Sequence, residues 1–207
     1  MSWRALKSSE ISKLGLSGSG AFVFLLEHER PVLLRRNSFK ITSKIISSIV
    51  PGACLMKDAY GKPIVPGGAL SISISHSGSC ILVALANVSV GVDIEYLRHR
   101  HQWLTLYEWI TFPEDRFLDP TEIDFLESWT AKESLVKIFG RAVDQGIRSI
   151  SIPVVRSRAF RRASVNGRCF WIKPLPQWKE MVACLALAEP CAVLPYYLTD
   201  CASWCAE

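Results

Sequence analysis

The chain has 207 residues, of which 49% are hydrophobic and 21% charged, which is the balance of an ordinary globular protein with one large domain or two small ones. A membrane-spanning helix is excluded, because the longest apolar run, residues 181–188, is far shorter than the about 20 residues that such a helix needs. The net charge of +5 predicts an anionic partner, such as phosphate, nucleic acid or an acidic protein, without choosing among them.

The N-terminal residues and the cysteines both predict a cytoplasmic protein. No long apolar run follows the first basic residues, so we expect no secretory signal and a mature chain that starts here. The seven cysteines form an odd set with no C-x-x-C pair, which favours reduced thiols over disulfides or a metal site.

Four elements are predicted in the first half of the chain. Residues 20–34 are rich in aromatic and β-branched residues around a turn at 29–31, which predicts a strand or a hairpin. Residues 37–50 carry apolar side chains at helical spacing and end at a Pro-Gly pair. Residues 70–76 alternate between apolar residues and serine, which is typical of a half-buried strand ending at His76. Residues 81–97 predict two strands around Asn87, so that residues 75–95 form adjacent strands of one sheet.

The second half begins with helices and ends with strands. Apolar residues recur at helical spacing within 98–124, and a second helical pattern runs over 121–140 to a glycine. The rest predicts a three-strand meander at 147–155, 168–175 and 180–188, followed by a cysteine-rich tail. The fold class is therefore α+β, with no linker long enough to separate independent domains.

A carboxylate pair suggests a cation site. Glu133 and Lys137 are spaced i, i+4 on the second helix, which alone is typical of a solvated face. Asp93 and Glu95, however, share one face of a strand, where two negative charges repel unless water, a cation or a base offsets them. Magnesium prefers oxygen ligands and leaves positions for phosphate. With Lys137, and with Lys62 and His76 as further phosphate partners, these residue types suit a magnesium-assisted reaction at a diphosphate.

Four sequence blocks together resemble a known family, the Sfp-type group of the 4′-phosphopantetheinyl transferase superfamily. The blocks are "GKP" at 61–63, "SISHS" at 73–77, "GVDIE" at 91–95 and "FLESWTAKESLVK" at 125–137. They occur in the family's order and at about its spacing, and the last keeps the pattern F-x3-W-x2-K-E-x3-K.

The resemblance implies an enzyme of the holo-acyl-carrier-protein synthase type. It would transfer the phosphopantetheine arm of coenzyme A to a serine of an apo acyl- or peptidyl-carrier protein, with Mg²⁺ as cofactor, and release adenosine 3′,5′-bisphosphate. The implied fold is α+β, with two similar halves forming a pseudo-dimer, here residues 1–97 and 98–207. We expect a cytoplasmic monomer whose carrier partner has an acidic surface, with no membrane or nucleic-acid partner.

The resemblance also implies roles for individual residues. The magnesium ligands would be Asp93, Glu95 and Glu133. Glu133 is also the expected base toward the carrier serine, directly or through a water, and Glu95 is the alternative base. Lys137 would stabilise charge on the diphosphate, and Lys132 would contribute to coenzyme binding.

The remaining coenzyme contacts are expected upstream. Ser75 and His76 fall in the block that meets the 3′-phosphate of the coenzyme in this family. Lys62 matches its nucleotide-contacting lysine, although a turn residue before proline is the simpler interpretation. The chain departs from the family near its N-terminus, which is shorter than in many relatives, and there Arg36 and Lys40 are the candidates for the 3′-phosphate.

Two other hypotheses stay open. A catalytically silent homologue would keep the fold and bind carrier proteins or coenzyme A. A basic nucleic-acid-binding domain would rest on the arginine cluster "RSRAFRR" at 156–162, although such clusters are usually solvated surface. Under the transferase hypothesis a basic rim would speed the encounter with an acidic carrier, an effect that weakens with salt.

Overall fold

The structure, a computed structural model, describes residues 1–15, 20–68, 70–98, 101–139, 146–153, 157–200 and 204. Its strands are β1 Arg4–Leu6, β2 Gly20–Glu27, β3 Met56–Lys57, β4 Pro63–Ile64, β5 Ser71–Ser77, β6 Cys80–Ala86, β7 Val90–Tyr96, β8 Arg161–Val165, β9 Arg168–Pro174, β10 Met181–Leu187 and β11 Ala192–Leu198. Its helices are α1 Pro31–Arg36, α2 Ser38–Ile49, α3 Trp103–Ile110 and α4 Glu122–Phe139, with 3-10 turns at Ser8–Lys13, Pro113–Asp115 and Gly146–Ser149. The chain is α+β, as the sequence predicts.

Two sheets carry most of the strands. The first has the order β1-β11-β2-β6-β5, in which β11 runs parallel to both of its neighbours and the other pairs are antiparallel. The second has the order β7-β10-β9-β8 and is antiparallel throughout. A two-stranded ribbon, β3 with β4, lies outside both sheets.

The sheets and two helices stack in four layers. The side chains of α2 pack on one face of the first sheet, for example Ile45 against Phe24 and Val83. The opposite face of that sheet packs on the second sheet, where Val92 and Leu185 lie in the shared core. On the far side of the second sheet, its side chains pack against α4 in a separate apolar cluster. Because strand side chains alternate between faces, each buried strand contributes side chains to two of these cores.

The predicted helices at 37–50 and 121–140 are confirmed as α2 and α4, and Gly140 lies outside the described residues. The strand at 70–76 and the two strands around Asn87 are also confirmed, as β5, β6 and β7. The buried strand at 180–188 is β10. Within 98–124 the helical spacing corresponds to α3.

The predicted strand or hairpin at 20–34 is a single strand, β2, and the prediction of one sheet for residues 75–95 is wrong. The residues after the turn at 29–31 do not form the second strand of a hairpin but begin α1, because Pro31 occupies the first helical turn, where its missing N–H costs nothing. Residues 75–95 do not belong to one sheet: β7 pairs with β10, while β5 and β6 belong to the first sheet.

The predicted meander is shifted along the chain. The described part of the predicted strand at 147–155, residues 147–153, is not a strand: a 3-10 turn ends at Ser149, and Ser151 makes only an isolated bridge to Ser164. The first strand of the meander is instead β8, which begins with the last two residues of the arginine cluster. The tail contributes β11, which the sequence pattern did not predict. The described cysteines are free thiols, and Cys201 and Cys205 lie outside the described residues.

The division into halves at residue 97 and the pseudo-dimer stay predictions. The backbone of β7 pairs with the C-terminal strand β10, and β11 returns to the N-terminal sheet. Among the described residues, no helix combines the length and the apolar character that crossing a membrane requires.

Candidate functional site

A row of serines joins the two sheets at the edge strands β5 and β7. The alternating serines of β5 project toward β7, and three of their hydroxyl oxygens accept hydrogen bonds from backbone N–H groups of β7. These bonds join Val90 to Ser71 at 3.1 Å, Val92 to Ser73 at 3.0 Å and Tyr96 to Ser77 at 3.1 Å. The serine hydroxyls therefore replace the backbone carbonyls of a sheet partner and satisfy edge groups that would otherwise be left unpaired. We call this contact the serine seam.

Helix α4 approaches β7 closely because position 91 is a glycine. A Cβ atom built on Gly91 would lie 1.9 Å from the carbonyl oxygen of Ser134, a distance that no side chain permits. The helix is thus fixed against the strand that carries Asp93 and Glu95, and it brings Glu133 and Lys137 with it.

Asp93 is the centre of the site. Its side chain is buried, and its Oδ1 atom accepts hydrogen bonds from Ser75 Oγ at 2.7 Å and from Lys137 Nζ at 2.7 Å. Lys137 also donates to the carbonyl of Val92 at 3.1 Å. Within the part of the chain that the structure describes, the other carboxylate oxygen, Oδ2, is buried without a hydrogen-bond partner. A buried carboxylate oxygen with no donor is costly, and a cation would satisfy it.

Glu95 and Glu133 add negative charge near Asp93. Glu95 is half-buried, and its Oε2 accepts a hydrogen bond from Ser77 Oγ at 3.3 Å. Burial raises the pKa of Glu133, the carboxylate of Asp93 raises it further, Lys137 lowers it, and Glu95 adds a smaller upward contribution. The three expected metal ligands therefore influence one another electrostatically. Among the described residues, however, no three His, Cys, Asp or Glu side chains are gathered closely enough to form a ready metal site.

Lys62 brings a fourth sequence block to α4. Its backbone N–H donates to Asp58 Oδ1 at 2.8 Å in a turn whose Gly61 has a φ of +82°, so Lys62 is indeed a turn residue. Its ammonium nevertheless reaches across to donate to the carbonyl of Ile138 at 3.0 Å. Burial lowers the pKa of Lys62, which Asp58 partly offsets.

A cavity of about 240 Å³ lies between these elements. It is lined by the turn at 60–63, by residues 72–74 of β5 and by Lys137. Two lysines of the predicted set, Lys62 and Lys137, thus border the same space, and Asp93 lies directly behind Lys137. The cavity suits an anionic ligand with some apolar surface.

Lys132, expected among the coenzyme contacts, lies elsewhere. It is 1% exposed, its ammonium donates to the carbonyl of Ile110 at the end of α3, and it lies 5.7 Å from the centre of the Phe112 ring. Burial lowers its pKa to about 8, against a smaller upward effect of Asp115. The structure therefore does not bring Lys132 to the group around Asp93, because its ammonium is sealed between α4 and α3.

The other predicted coenzyme residues lie on the surface of the first half. His76 is exposed and, by the alternation of β5, points to the opposite face from Ser75. Arg36 ends α1 and Lys40 lies in the first turn of α2, and both side chains are exposed. Their contacts with the 3′-phosphate of coenzyme A stay predictions.

Sequence reasoning missed two features that build the site. It did not predict that the serines at 71, 73 and 77 bond β7, although they form the seam that aligns Asp93 with Ser75. It also gave no role to Gly91. A glycine within a buried strand is a signal of close backbone approach and could have indicated the contact with α4.

Comparisons with known proteins agree with the resemblance found in the sequence. Residues 89–180 match the family model described as the 4′-phosphopantetheinyl transferase superfamily. The chain is 32% identical over 101 residues to the 4′-phosphopantetheinyl transferase gsp of Aneurinibacillus migulanus, a match that covers 46% of the chain and 42% of the relative. It is 28% identical over 107 residues to a 4′-phosphopantetheinyl transferase of Bacillus subtilis, covering 45% of the chain and 44% of the relative.

The resemblance to the 4′-phosphopantetheinyl transferase superfamily is thereby confirmed. The matched part of the chain spans less than half the length of either relative. The family match includes Asp93, Glu95, Glu133 and Lys137, whereas Lys62 and Ser75 lie before it.

Proposed function

We propose that the chain transfers the 4′-phosphopantetheine arm of coenzyme A to a serine hydroxyl of an apo acyl- or peptidyl-carrier protein. One observation carries the proposal: side chains from all four resembling blocks meet at one place. Ser75 and Lys137 both bond the Asp93 carboxylate, and the Lys62 ammonium reaches the backbone of the helix that carries Lys137. Lys62 and Ile138, which are 76 residues apart in sequence, would have no reason to meet if the blocks were only surface motifs.

The cavity beside Lys62 and Lys137 is the proposed position of the diphosphate. Both lysines line it, and cations placed where phosphoryl charge develops lower the barrier to transfer. The side chain of Lys137 is 28% exposed, so its remaining N–H can point toward a ligand while the carboxylate of Asp93 fixes its position.

Mg²⁺ is the proposed cofactor, held by the carboxylates of Asp93, Glu95 and Glu133. Two observations support the fit of these residues to a hard cation: the buried Asp93 Oδ2 has no donor within the described residues, and the pKa of Glu133 is raised by burial first and then by the neighbouring carboxylates. When bound, the ion would neutralise negative charge on the phosphoryl oxygens. Because the described residues contain no ready three-ligand cluster, we expect the carboxylates to draw together on loading.

Glu133 is the proposed base, with Glu95 as the alternative. The carrier serine Oγ attacks the phosphorus that bears the pantetheine arm and gives its proton to the carboxylate, directly or through a water. The bond from that phosphorus to the oxygen of the nucleotide phosphate breaks, and adenosine 3′,5′-bisphosphate leaves. A pKa raised by burial makes Glu133 a stronger proton acceptor than an exposed glutamate, which suits this role.

The test is the intact mass of an apo carrier protein after incubation with the chain, coenzyme A and Mg²⁺. We expect the carrier to gain one phosphopantetheine arm with the wild-type chain and none with Glu133→Ala. Glu122→Ala, in the first turn of the same helix, is the matched control and should retain transfer. If no carrier of the fatty-acid, polyketide or peptide type is modified while coenzyme A still binds, the proposal fails and a silent binding protein replaces it.

A further inference from the structure

A second charged surface lies on the hairpin formed by β8 and β9. We call it the basic hairpin and define it as residues 158–174, which include the turn at Asn166 and Gly167. Between residues 157 and 179 the sequence contains six lysines and arginines and no aspartate or glutamate. The arginine cluster at 156–162 supplies only part of this charge, and its first residue lies outside the described residues. Folding adds the basic and aromatic residues of β9, which the cluster alone does not contain.

The two faces of the basic hairpin differ. One face is apolar and packs under α4, through Ala163, Phe170 and Ile172. The residues that alternate with these project to the other face, which is polar, basic and aromatic. They are Arg162, Ser164, Cys169, Trp171 and Lys173. Strand β8 is the edge of its sheet, so this face lies at the border of the molecule.

Aromatic rings hold the cations of this face in place. The Arg162 guanidinium lies 5.6 Å from the centre of the Trp171 ring and donates to Cys169 Sγ at 2.9 Å. The Lys173 ammonium lies 5.0 Å from the centre of the Phe160 ring. The two rings meet edge to face, with centres 6.4 Å apart. Rings attract cations without neutralising them, so these charges are positioned yet remain positive.

Within the described residues, the cations of this face have no acidic partner, since no carboxylate pairs with Arg162 or Lys173. By contrast Lys179, just beyond the hairpin, is paired with Glu27 at 2.7 Å. The hairpin therefore combines unneutralised charge with half-buried rings on one narrow surface.

We propose that this face binds a single strand of nucleic acid. Arg162 and Lys173 would contact phosphates, and bases would pack against Trp171 and Phe160. Cations without carboxylate partners suit any polyanion. The aromatic rings favour nucleic acid, because bases can stack on them, whereas an acidic protein surface would not use the rings. The surface is two strands wide, at about 5 Å per strand, which fits one nucleic-acid strand rather than a duplex. This binding is independent of the proposed transfer reaction.

The test is fluorescence anisotropy with a fluorescein-labelled oligothymidylate of about 15 nucleotides, over a series of salt concentrations without coenzyme A. Two phosphate contacts predict a slope of log K against log salt of about −1.4, since each contact contributes about −0.7 on single strands. The double variant Arg162→Gln with Lys173→Gln should bring the slope close to zero. Trp171→Leu should weaken binding roughly tenfold with little change in slope, and Trp171→Phe, which keeps a ring, should restore most of the affinity.

The matched control is Lys44→Gln with Lys57→Gln. These two lysines also lie over aromatic rings, Trp204 and Phe39, but on another surface, and the double variant removes the same charge. It should bind the oligonucleotide like the wild type. Excess adenosine 3′,5′-bisphosphate should not displace the oligonucleotide, because the coenzyme cavity is a separate place. Binding that is equally weakened in the control, or equal affinity for polyglutamate, would overturn the proposal, as would no binding at low salt.

Discussion

The two sides of α4 each hold a lysine, and the two lysines meet different chemistry. On the side of β7, Lys137 bonds the buried Asp93 carboxylate and keeps 28% of its side chain exposed. On the side of α3, Lys132 is 1% exposed and donates to the carbonyl of Ile110. An exposed ammonium beside a carboxylate still reaches an anionic ligand, whereas a sealed one does not. One helix therefore serves the site with one face and the core with the other.

The difference shows that burial gives two residues of the same type different surroundings and different contacts. Both lysines belong to the pattern W-x2-K-E-x3-K, and in the sequence they look equally suited to phosphate. Lys132 is surrounded by a carbonyl, the Phe112 ring and the field of Asp115, and burial lowers its pKa to about 8. The function of each lysine follows from what surrounds it, which spacing does not reveal.

The largest effect is expected at the contact that fixes α4 against β7. In Gly91→Ala the new methyl group would lie 1.9 Å from the backbone carbonyl of Ser134, which cannot move as a side-chain end could. We expect a loss of about 3 kcal/mol or more in the free energy of unfolding, or failure to fold. Urea denaturation measures it.

Gly20→Ala is the matched control for that change. A Cβ at Gly20 would lie 3.7 Å from the Ala192 carbonyl, which is an ordinary contact within a strand. Its stability should change by less than about 1 kcal/mol. Equal losses in the two variants would show that the approach of α4 to β7 is not the reason for glycine at position 91.

The next effect concerns activity and separates the two lysines directly. Lys137→Met should lower the rate of transfer about 100-fold. The substitution removes a positive charge beside the diphosphate and leaves the Asp93 carboxylate without this ion-pair partner. Lys132→Met should leave the KM for coenzyme A unchanged, since its ammonium lies away from the cavity. Steady-state kinetics with coenzyme A as the varied substrate measures both. A large rise in KM in Lys132→Met would mean that this lysine reaches the coenzyme after all.

A smaller effect on stability is expected at the serine seam. The seam bonds β7, the strand against which one side of α4 packs. Ser73→Ala leaves the buried N–H of Val92 without its acceptor, and we expect a loss of about 2 kcal/mol in the free energy of unfolding. Ser71→Ala, at the half-exposed end of the seam, should cost less because water can replace the hydroxyl. Chemical denaturation of the two variants side by side checks the order, and a reversed order would contradict the seam.

The sequence predicted the elements better than their arrangement. Helix α4 and strands β5 to β7 follow from clear periods of 3.6 and 2, and the site residues Asp93, Ser75 and Lys137 were placed correctly on them. The separation of β7 from β5 into two sheets could not be predicted, because periodicity does not tell a backbone partner from a row of serine hydroxyls. Strand β11 was missed because Pro195 lies inside it, which normally argues against a strand.

The burial of Lys132 was also beyond the sequence. Lysine is almost always exposed, and only the packing of α3 against α4 seals this one. The convergence of Lys62 on α4 depended on resemblance rather than on spacing, since 76 residues separate the two contacting groups in the chain. Local patterns determine elements, whereas contacts between distant elements decide which of their polar groups reach the site.

The smallest expected effect is a change of stability with pH, which tests the burial of Lys132 on the α3 side of α4. The folded pKa of Lys132, about 8, lies below the ordinary value of 10.5, so between these values the unfolded chain binds more protons. The cost of burying the charge is fully present below pH 8 and disappears as the pH rises toward 10.5. Wild type should therefore gain stability relative to Lys132→Met between pH 8 and pH 10, by on the order of 1 kcal/mol. Taking the difference between the two proteins removes the contributions of Cys80 and Cys184, whose raised pKa values act in the opposite direction over this range. Parallel stability curves for the two proteins would show that the ammonium of Lys132 is not desolvated in the folded state. Lys132 and Lys137 would then differ only in their hydrogen-bond partners.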